Sequence, residues 1–321
     1  MTSSTKLLAG IELGGTKCVC VLGTGPSDIR AQERLPTRDP ETTLAAIEAV
    51  LSRWASVHGR FEALGISSFG PLDLNPRSAT YGFIAATTKP GWSNTRIAGR
   101  FAEHFGVPVG LDTDVNGAAL GEGCWGAAQG LDDFAYVTVG TGVGVGLIVD
   151  GKPIFGCSHT EMGHIRIARL PGDTWPGHCS FHGDCVEGLA SGPAIQARVG
   201  ASSDSLPDDH PVWTAVVHAV AQLLHSMVVS TAPVRIIVGG GVLISREALF
   251  GRIRTELAKS LNGYLKAGVL EGDLSTYVVP PSLGGLSGAL GALVLAEREL
   301  TESHGRKRYH STGVTGVVDD E

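Results

Sequence analysis

The sequence has no concentration of positive charge. Its 25 Lys and Arg residues are outnumbered by 32 Asp and Glu residues, the formal net charge is −7, and the basic residues are dispersed along the chain. Nucleic-acid-binding domains usually present a basic patch or stripe to the phosphate backbone. The composition therefore argues against a nucleic-acid partner.

Targeting and membrane-spanning signals are also missing. The first residues, MTSSTKLLAGIELGG, lack the charged and apolar regions of a signal peptide, and no apolar run is predicted to be long enough to cross a bilayer. Of the six cysteines, Cys18 and Cys20 fall in an apolar run that predicts a buried strand. We therefore expect a reduced, cytoplasmic protein with no membrane partner.

The P-loop pattern GxxxxGK[ST] is absent, which excludes that type of nucleotide site. A GxGxxG dinucleotide site is also disfavoured, because strands rather than helices are predicted after the glycine-rich turns. Glycine itself is abundant, with 45 residues in 321. Such an excess indicates many tight turns and places where the backbone approaches a ligand closely.

Two segments of the chain look like variations on one unit. Residues 7–22 and 134–149 each contain an apolar strand, a Gly/Thr turn and a second apolar strand, a pattern that predicts a β-hairpin. The turns are Gly14-Gly15-Thr16-Lys17 and Gly140-Thr141-Gly142, and successive backbone N–H groups in such turns can bind phosphate oxygens. One such turn is typical of an ordinary hairpin. Two on similar strands suggest a duplicated domain with a nucleotide between the halves.

Strand patterns alternate with helical patterns along the rest of the chain, which predicts an α/β architecture. Helical periodicity covers residues 41–58, 97–105, 117–122, 212–229, 246–261 and 283–300. We predict an N-terminal domain over residues 1–122, completed by the helix at 284–300, and a C-terminal domain over residues 123–283. Residues 301–321 are polar and without periodicity, and we predict a flexible tail there.

Asp114 follows a predicted strand and precedes a predicted helix. It can be the residue that caps the helix, or a general base at the carboxyl end of a strand, where α/β proteins place their ligands. Asp112 is a second candidate for the base. Gly239-Gly240-Gly241 also lies between a strand and a helix, where it would let an adenosine group approach the backbone or simply form a β–α turn.

A short segment near the middle of the chain is rich in metal-binding side chains. Four of them have the residue types and the spacing of a structural zinc site: His164, Cys179, His182 and Cys185. Unconnected loop residues, or a disulfide between Cys179 and Cys185, are the alternatives, and Cys157, His159 and His178 are alternate ligands. Because the four ligands form a closed set, we expect a structural metal rather than a hydrolytic one.

Two carboxylates, Glu161 and Glu187, flank these predicted ligands. A loop that is held by a metal could direct both side chains at a polyhydroxylated molecule. The sequence therefore predicts a metal-braced sugar site.

Taken together, these motifs resemble the ROK family of sugar kinases and repressors, which belongs to the actin-like, hexokinase-type ATPases with a ribonuclease H-like fold. The resemblance covers residues 10–295. The matching segments are Gly14-Gly15-Thr16-Lys17, Asp114-Val115-Asn116, Ala119-Leu120-Gly121-Glu122, Gly140-Thr141-Gly142-Val143-Gly144, Glu161-Met162-Gly163-His164 and residues 179–187. It implies two α/β domains with a cleft between them.

The metal loop departs from the commonest pattern of the family, C-x-C-x4-C, because it has Cys179-x2-His182-x2-Cys185. Together with Ser68-Phe69-Gly70-Pro71 and Lys89-Pro90-Gly91-Trp92, this departure resembles the bacterial fructokinase branch. The resemblance therefore implies ATP-dependent phosphorylation of a hexose, D-fructose to D-fructose 6-phosphate. Kinases for glucose or mannose are the nearest alternatives. A sugar-sensing repressor is disfavoured, because the first phosphate strand begins too early for a preceding helix-turn-helix domain.

The resemblance also implies a role for each matching residue. Asp114 would be the base for the sugar hydroxyl, and the sugar site would be lined by Asn116, Glu161, His164 and Glu187. The phosphates and nucleotide would be held by Gly14, Gly15, Thr16, Lys17, Thr141, Gly142, Pro193, Gly239, Gly240 and Gly241. His164 would also bind zinc, with Cys179, His182 and Cys185. The implied cofactors are ATP, Mg²⁺ and a structural Zn²⁺, and the implied assembly is a homodimer.

Overall fold

The computed structural model describes residues 6–311, and the side chains of residues 6–303. The first half of the chain forms β1 (Leu8–Leu13), β2 (Lys17–Gly25), β3 (Asp28–Pro36), α1 (Pro40–His58), β4 (Ala63–Ser68), β5 (Phe83–Ile84), β6 (Thr95–Arg96), α2 (Ala98–Phe105), β7 (Val109–Thr113) and α3 (Asp114–Trp125). The second half forms β8 (Phe134–Val139), β9 (Val143–Val149), β10 (Lys152–Pro153), α4 (Val186–Ala190), α5 (Gly192–Val199), α6 (Val212–Thr231), β11 (Arg235–Gly239), α7 (Glu247–Leu261), β12 (Val278–Val279) and α8 (Ser287–Ser311).

The two main sheets have the same topology. Their strand orders are β3-β2-β1-β4-β7 and β10-β9-β8-β11-β12. In each sheet three consecutive strands pair antiparallel, a fourth strand pairs parallel to the first of these, and a fifth pairs parallel to the fourth. The predicted duplication of one unit is therefore confirmed, and each predicted Gly/Thr turn joins the first two strands of its sheet.

Helices α3 and α8 connect the two halves. Helix α3 follows β7 and packs both against β4 and β7 of the first sheet and against β8 and β9 of the second. Helix α8 follows β12 of the second sheet and packs against β1, β2, β4 and β7 of the first. The two helices also pack closely against each other, so that the start of α3 lies at the junction of the halves.

The crossing of α3 and α8 depends on glycine. A Cβ on Gly291 would lie 1.7 Å from the carbonyl oxygen of Gly117, and a Cβ on Gly121 would lie 2.6 Å from that of Ser287. Backbone atoms cannot move aside as a flexible side chain can. The helices can therefore approach this closely only without side chains at these positions.

We predict that Gly291→Ala lowers the free energy of unfolding by about 3 kcal/mol or more, because a methyl group at this position forces the helices apart. Gly251→Ala is the matched control, since Gly251 is an exposed residue of α7 and a Cβ there would meet nothing within 4 Å. That change should be neutral or stabilise the helix by up to ~1 kcal/mol. Denaturant unfolding of both variants measures the difference, and equal stability would contradict the close helix crossing.

Two predictions from the sequence need correction. The last helix does not end at residue 300 but continues to Ser311, so the first part of the predicted flexible tail is helical, and residues 312–321 lie outside the described residues. Helix α6 is, by length and composition, apolar enough to cross a membrane, contrary to the expectation from the sequence. However, 67% of its most apolar window is buried, which is the behaviour of a core helix.

Candidate active site

Asp114 lies at the junction of the two halves, as the first residue of α3 and directly after β7. Thr113, rather than Asp114, caps the helix, because its hydroxyl oxygen accepts a hydrogen bond from the Asn116 N–H at 3.2 Å. Among the described residues, Asp114 Oδ1 accepts from the adjacent Val115 N–H, at 2.9 Å. The capping interpretation of Asp114 is therefore wrong, and its carboxylate retains lone pairs for another partner.

The surroundings of Asp114 favour a proton acceptor that works near neutral pH. Burial, together with the negative charges of Glu12 and Glu161, raises the pKa of its carboxyl from the usual 3.8 to about 7. Part of the residue nevertheless remains accessible to solvent. A general base is most effective when its pKa lies close to the working pH.

Asp112, the other candidate for the base, is already bonded within the protein. Its Oδ1 accepts from the Thr113 N–H and from the Asn116 side-chain amide, both at 2.7 Å. Burial also raises the pKa of Asp112. The second of these bonds fixes the buried Asn116 amide at the start of α3, so Asp112 orients Asn116. Of the two carboxylates, Asp114 therefore accepts fewer hydrogen bonds from the protein.

Glu12 lies on β1 two residues before the first Gly/Thr turn and was not predicted from the sequence as a site residue. Burial raises the pKa of Glu12, whereas the nearby charges of Lys17 and Arg34 lower it. Its buried Oε2 has no hydrogen-bond partner among the described residues. Because buried polar atoms are nearly always paired, this oxygen is available to bind a further group. In the sequence Glu12 is a single carboxylate within an apolar strand, a pattern that does not by itself mark a site.

The first Gly/Thr turn, Gly14–Lys17, is predicted to bind phosphate and is called the first phosphate turn below; it closes tightly. The Gly14 N–H donates to the Lys17 carbonyl at 3.0 Å, and a Cβ on Gly14 would lie 2.8 Å from that oxygen. Gly15 has open space beside it, and Thr16 and Lys17 are exposed. The turn can therefore admit a bulky anion.

The second turn and the predicted nucleotide residues come together in the other half. The Gly140 N–H donates to the Gly142 carbonyl, and the Gly140 carbonyl accepts from the Gly192 N–H, both at 2.8 Å. The second bond joins the start of α5, which has Pro193 in its first turn, to Gly140, the residue before exposed Thr141.

The Gly239–Gly241 turn lies against the end of β8, where the second Gly/Thr turn begins. Gly240 has a φ of 90°, and a Cβ there would lie 2.4 Å from the Val139 backbone, so that a larger residue is disfavoured. Gly241, in contrast, has open space where its Cβ would be. The structure thus brings Thr141, Gly142, Pro193 and the three glycines to one edge of the second sheet.

The four predicted metal ligands also come together, and their ligand atoms all lie within 4.8 Å of one another. Cys179 Sγ is 3.7 Å from Nδ1 of both His164 and His182, and Cys185 Sγ is 3.6 Å from His164 Nδ1. With Zn–S of about 2.3 Å and Zn–N of about 2.0–2.1 Å, a tetrahedral ion separates S from N by about 3.5–3.6 Å. The side chains therefore fit tetrahedral zinc.

The alternate ligands lie elsewhere. His159 Nε2 accepts from the Leu72 N–H at 3.1 Å, and its Nδ1 lies 3.5 Å from Glu161. Neither Cys157 nor His178 belongs to the group of metal-binding side chains found among the described residues. Cys179 and Cys185 are free thiols rather than a disulfide.

The metal loop is continuous with the rest of the site through Glu187. Cys185 caps α4, which carries Glu187 in its first turn. Glu187 Oε2 accepts from the Val143 N–H at 3.1 Å, next to the second phosphate turn, and its Oε1 lies 4.0 Å from His164 Nε2. Of the two predicted sugar-site carboxylates, Glu187 is thus fixed by the protein, whereas the Glu161 side chain is 49% exposed.

A model of the ROK family matches residues 8–299 of the chain. The chain belongs to this family. It is 40% identical to the fructokinase of Pediococcus pentosaceus over 92% of this chain and 99% of that protein. It is 39% identical to the fructokinase of Zymomonas mobilis, over 92% and 98%.

A solved ROK structure supports the assignment of the fold. The ROK glucokinase of Streptomyces griseus, in complex with glucose and AMPPNP, is similar over 91% of this chain and 99% of that chain, with a TM-score of 0.72 and 26% identity. The predicted actin-like ATPase fold and the family membership are therefore confirmed. The roles of the individual site residues stay predictions.

Proposed function

We propose that this ROK protein phosphorylates a hexose with ATP, and that its substrate is D-fructose, converted to D-fructose 6-phosphate. The observation that carries the proposal is Asp114, a largely uncommitted carboxylate with a pKa of about 7 at the junction of two phosphate-turn domains. The relatives named fructokinase, at 39–40% identity over nearly their whole length, support the choice of sugar.

Asp114 accepts the proton of the sugar hydroxyl as that oxygen attacks the γ-phosphorus, while the bond from this phosphorus to the bridging oxygen breaks and ADP leaves. The N–H groups of the two Gly/Thr turns, together with Lys17, orient the phosphates, while Pro193 and Gly239–Gly241 contact the nucleoside. Phosphoryl transfer depends mainly on positioning and on electrostatic stabilisation, so these groups suffice for the protein's part.

Glu12 fits a magnesium ion that accompanies the nucleotide. It is a carboxylate, the ligand type that magnesium prefers, and its buried Oε2 has no partner among the described residues. Bound magnesium supplies positive charge that offsets the phosphates. The proximity of Glu12 to Asp114 is expressed in the raised pKa of Asp114.

His164, Cys179, His182 and Cys185 are proposed to hold zinc as a structural ion, because four protein ligands leave no open position for chemistry. The ion would fix the loop on which His164 and Glu187 lie. Those two side chains, with Asn116 and Glu161, would line the sugar site. A homodimer, a cytoplasmic location and the domain division at residues 122 and 123 stay predictions.

A panel of hexoses with ATP and Mg²⁺, measured by ADP formation, tests the proposed activity. We expect kcat/KM for fructose to exceed that for glucose, mannose and N-acetylmannosamine by tenfold or more. The reason is that the wrong sugar leaves pocket groups unpaired, at about 1–3 kcal/mol for each group. A tenfold preference for glucose would contradict the choice of fructose but not the kinase. No phosphorylation of any hexose would overturn the kinase as well.

The same assay distinguishes effects on sugar binding from effects on nucleotide binding. Glu187→Gln should raise KM for the sugar far more than KM for ATP. Glu62→Gln, at an exposed position outside the site, is the matched control and should change neither constant.

A further inference from the structure

The first phosphate turn is held from behind by two residues that lie far from it in the sequence. Three consecutive carbonyl oxygens of the turn each accept one hydrogen bond. Gly14 O accepts from the Thr37 hydroxyl at 2.7 Å, and Thr16 O accepts from the Thr37 N–H at 3.0 Å. Gly15 O, between them, accepts from Lys89 Nζ at 2.5 Å. All three carbonyl dipoles are therefore directed at Thr37 and Lys89.

Two N–H groups of the turn, unlike its carbonyl groups, are not used in hydrogen bonds within the described part of the protein. They are the N–H groups of Gly15 and Thr16. A turn whose carbonyls are tied back presents its N–H groups to an anion, which is the condition for binding phosphate through the backbone. If a carbonyl rotated forward instead, its negative end would repel the phosphates.

Thr37 is itself fixed by a buried donor. The Thr37 hydroxyl donates its hydrogen bond to Gly14 O. Its oxygen therefore accepts from the thiol of Cys18, 3.2 Å away. Burial raises the pKa of Cys18 to about 11, which keeps the thiol protonated at neutral pH. The chain of bonds therefore runs in one direction, from Cys18 through Thr37 to the turn.

Lys89 is fixed through its loop. Three residues further on, Trp92 is fully buried, and its Nε1 donates at 2.8 Å to the carbonyl of Arg38, the residue directly after Thr37. The Trp92 N–H also donates to the Lys89 carbonyl at 3.2 Å. The two supports of the turn are thus anchored to each other.

The charge of Lys89 is not neutralised. No carboxylate of the described residues forms a salt bridge with it, and its ammonium uses only one of three donors, on Gly15 O. An unpaired ammonium directly behind the turn adds positive potential where the phosphates bind. We propose that Lys89, with Thr37, is a positioning residue for the ATP phosphates: it holds the turn in its anion-binding form and contributes charge to it.

This inference rests on the proposed kinase activity, and steady-state kinetics of the full chain tests it. Lys89→Met keeps most of the side-chain length but removes the donor and the charge. We expect KM for ATP to rise and kcat to fall, each about tenfold, as for loss of a hydrogen bond to a charged group, with KM for the sugar within threefold of wild type. Lys89→Arg should restore most of the loss. Lys152→Met, at an exposed lysine on β10, is the matched control.

Thr37→Val removes only the hydroxyl and should raise KM for ATP severalfold, whereas Thr37→Ser should not. Melting temperatures and ADP titration of every variant separate loss of folding from loss of nucleotide binding. ATP constants within twofold of wild type in Lys89→Met would overturn the inference, as would a rise confined to KM for the sugar. If the wild-type protein phosphorylates no hexose, the proposed function fails instead, and ADP titration of Lys89→Met still tests the role of Lys89.

Discussion

Asp114→Asn is expected to lower kcat by about 10²–10⁴-fold, the usual effect of losing a general base. The amide has nearly the shape of the carboxylate and can still accept from the Val115 N–H, so the start of α3 should persist. KM for both substrates should therefore stay within a few fold. Asp209→Asn, an exposed carboxylate outside the site, controls for loss of one charge and should leave kcat unchanged.

The dependence of the rate on pH gives an independent test of the same role. A base must be ionised to accept a proton, so kcat/KM should be high above the pKa of Asp114 and should fall as the pH drops through about 7. A carboxyl with an ordinary pKa would place this fall near pH 4. A profile that stays flat down to pH 5 would show that Asp114 is not the base.

Stability distinguishes a lost base from a damaged fold. Because burial raises the pKa of Asp114 above its unfolded value, the protonated form stabilises the folded state at low pH, and this contribution is lost as the pH rises through about 7. Asn carries no charge at any pH. Asp114→Asn should thus melt at the same or a higher temperature than wild type at pH 8. If Asp112→Asn loses activity to the same degree while Asp114→Asn retains it, the base is Asp112.

The sequence was most informative where chemistry is local. Hairpin turns, helix periods and metal spacings are set within short segments, so the two Gly/Thr turns and helices such as α1 and α7 could be predicted closely. The ligands His164, Cys179, His182 and Cys185 could be named because a zinc loop must bring them together itself.

Site residues whose role depends on contacts between segments far apart in the sequence could not be predicted. The importance of Glu12 becomes visible only when α8 covers β1, because a carboxylate in an apolar strand can face solvent or a ligand equally well in the sequence. Lys89 and Thr37 contact the first phosphate turn across long stretches of chain, and no local pattern marks such a hydrogen bond. The extension of α8 to Ser311 was missed because residues beyond 300 have no apolar face to reveal a helix.

The second large effect is expected from replacing the predicted metal ligands. The purified protein should contain about one zinc per chain, and Cys179→Ser or Cys185→Ser should reduce the bound metal at least about tenfold, because each removes a soft ligand from a closed tetrahedral set. Cys157→Ser is the matched control, since Cys157 is exposed and lies outside the group of four. Metal analysis by atomic emission measures the stoichiometry.

Loss of the metal should affect the sugar site before the nucleotide site. Cys185 caps the helix that carries Glu187, and Cys179 lies 3.7 Å from His164, so the loop loses both constraints together. We expect a lower melting temperature and a KM for the sugar raised about tenfold or more, with KM for ATP changed much less, since the first phosphate turn is supported by Thr37 and Lys89 instead. Zinc-free wild-type protein with an unchanged melting temperature and sugar KM would rule out a structural metal at this site.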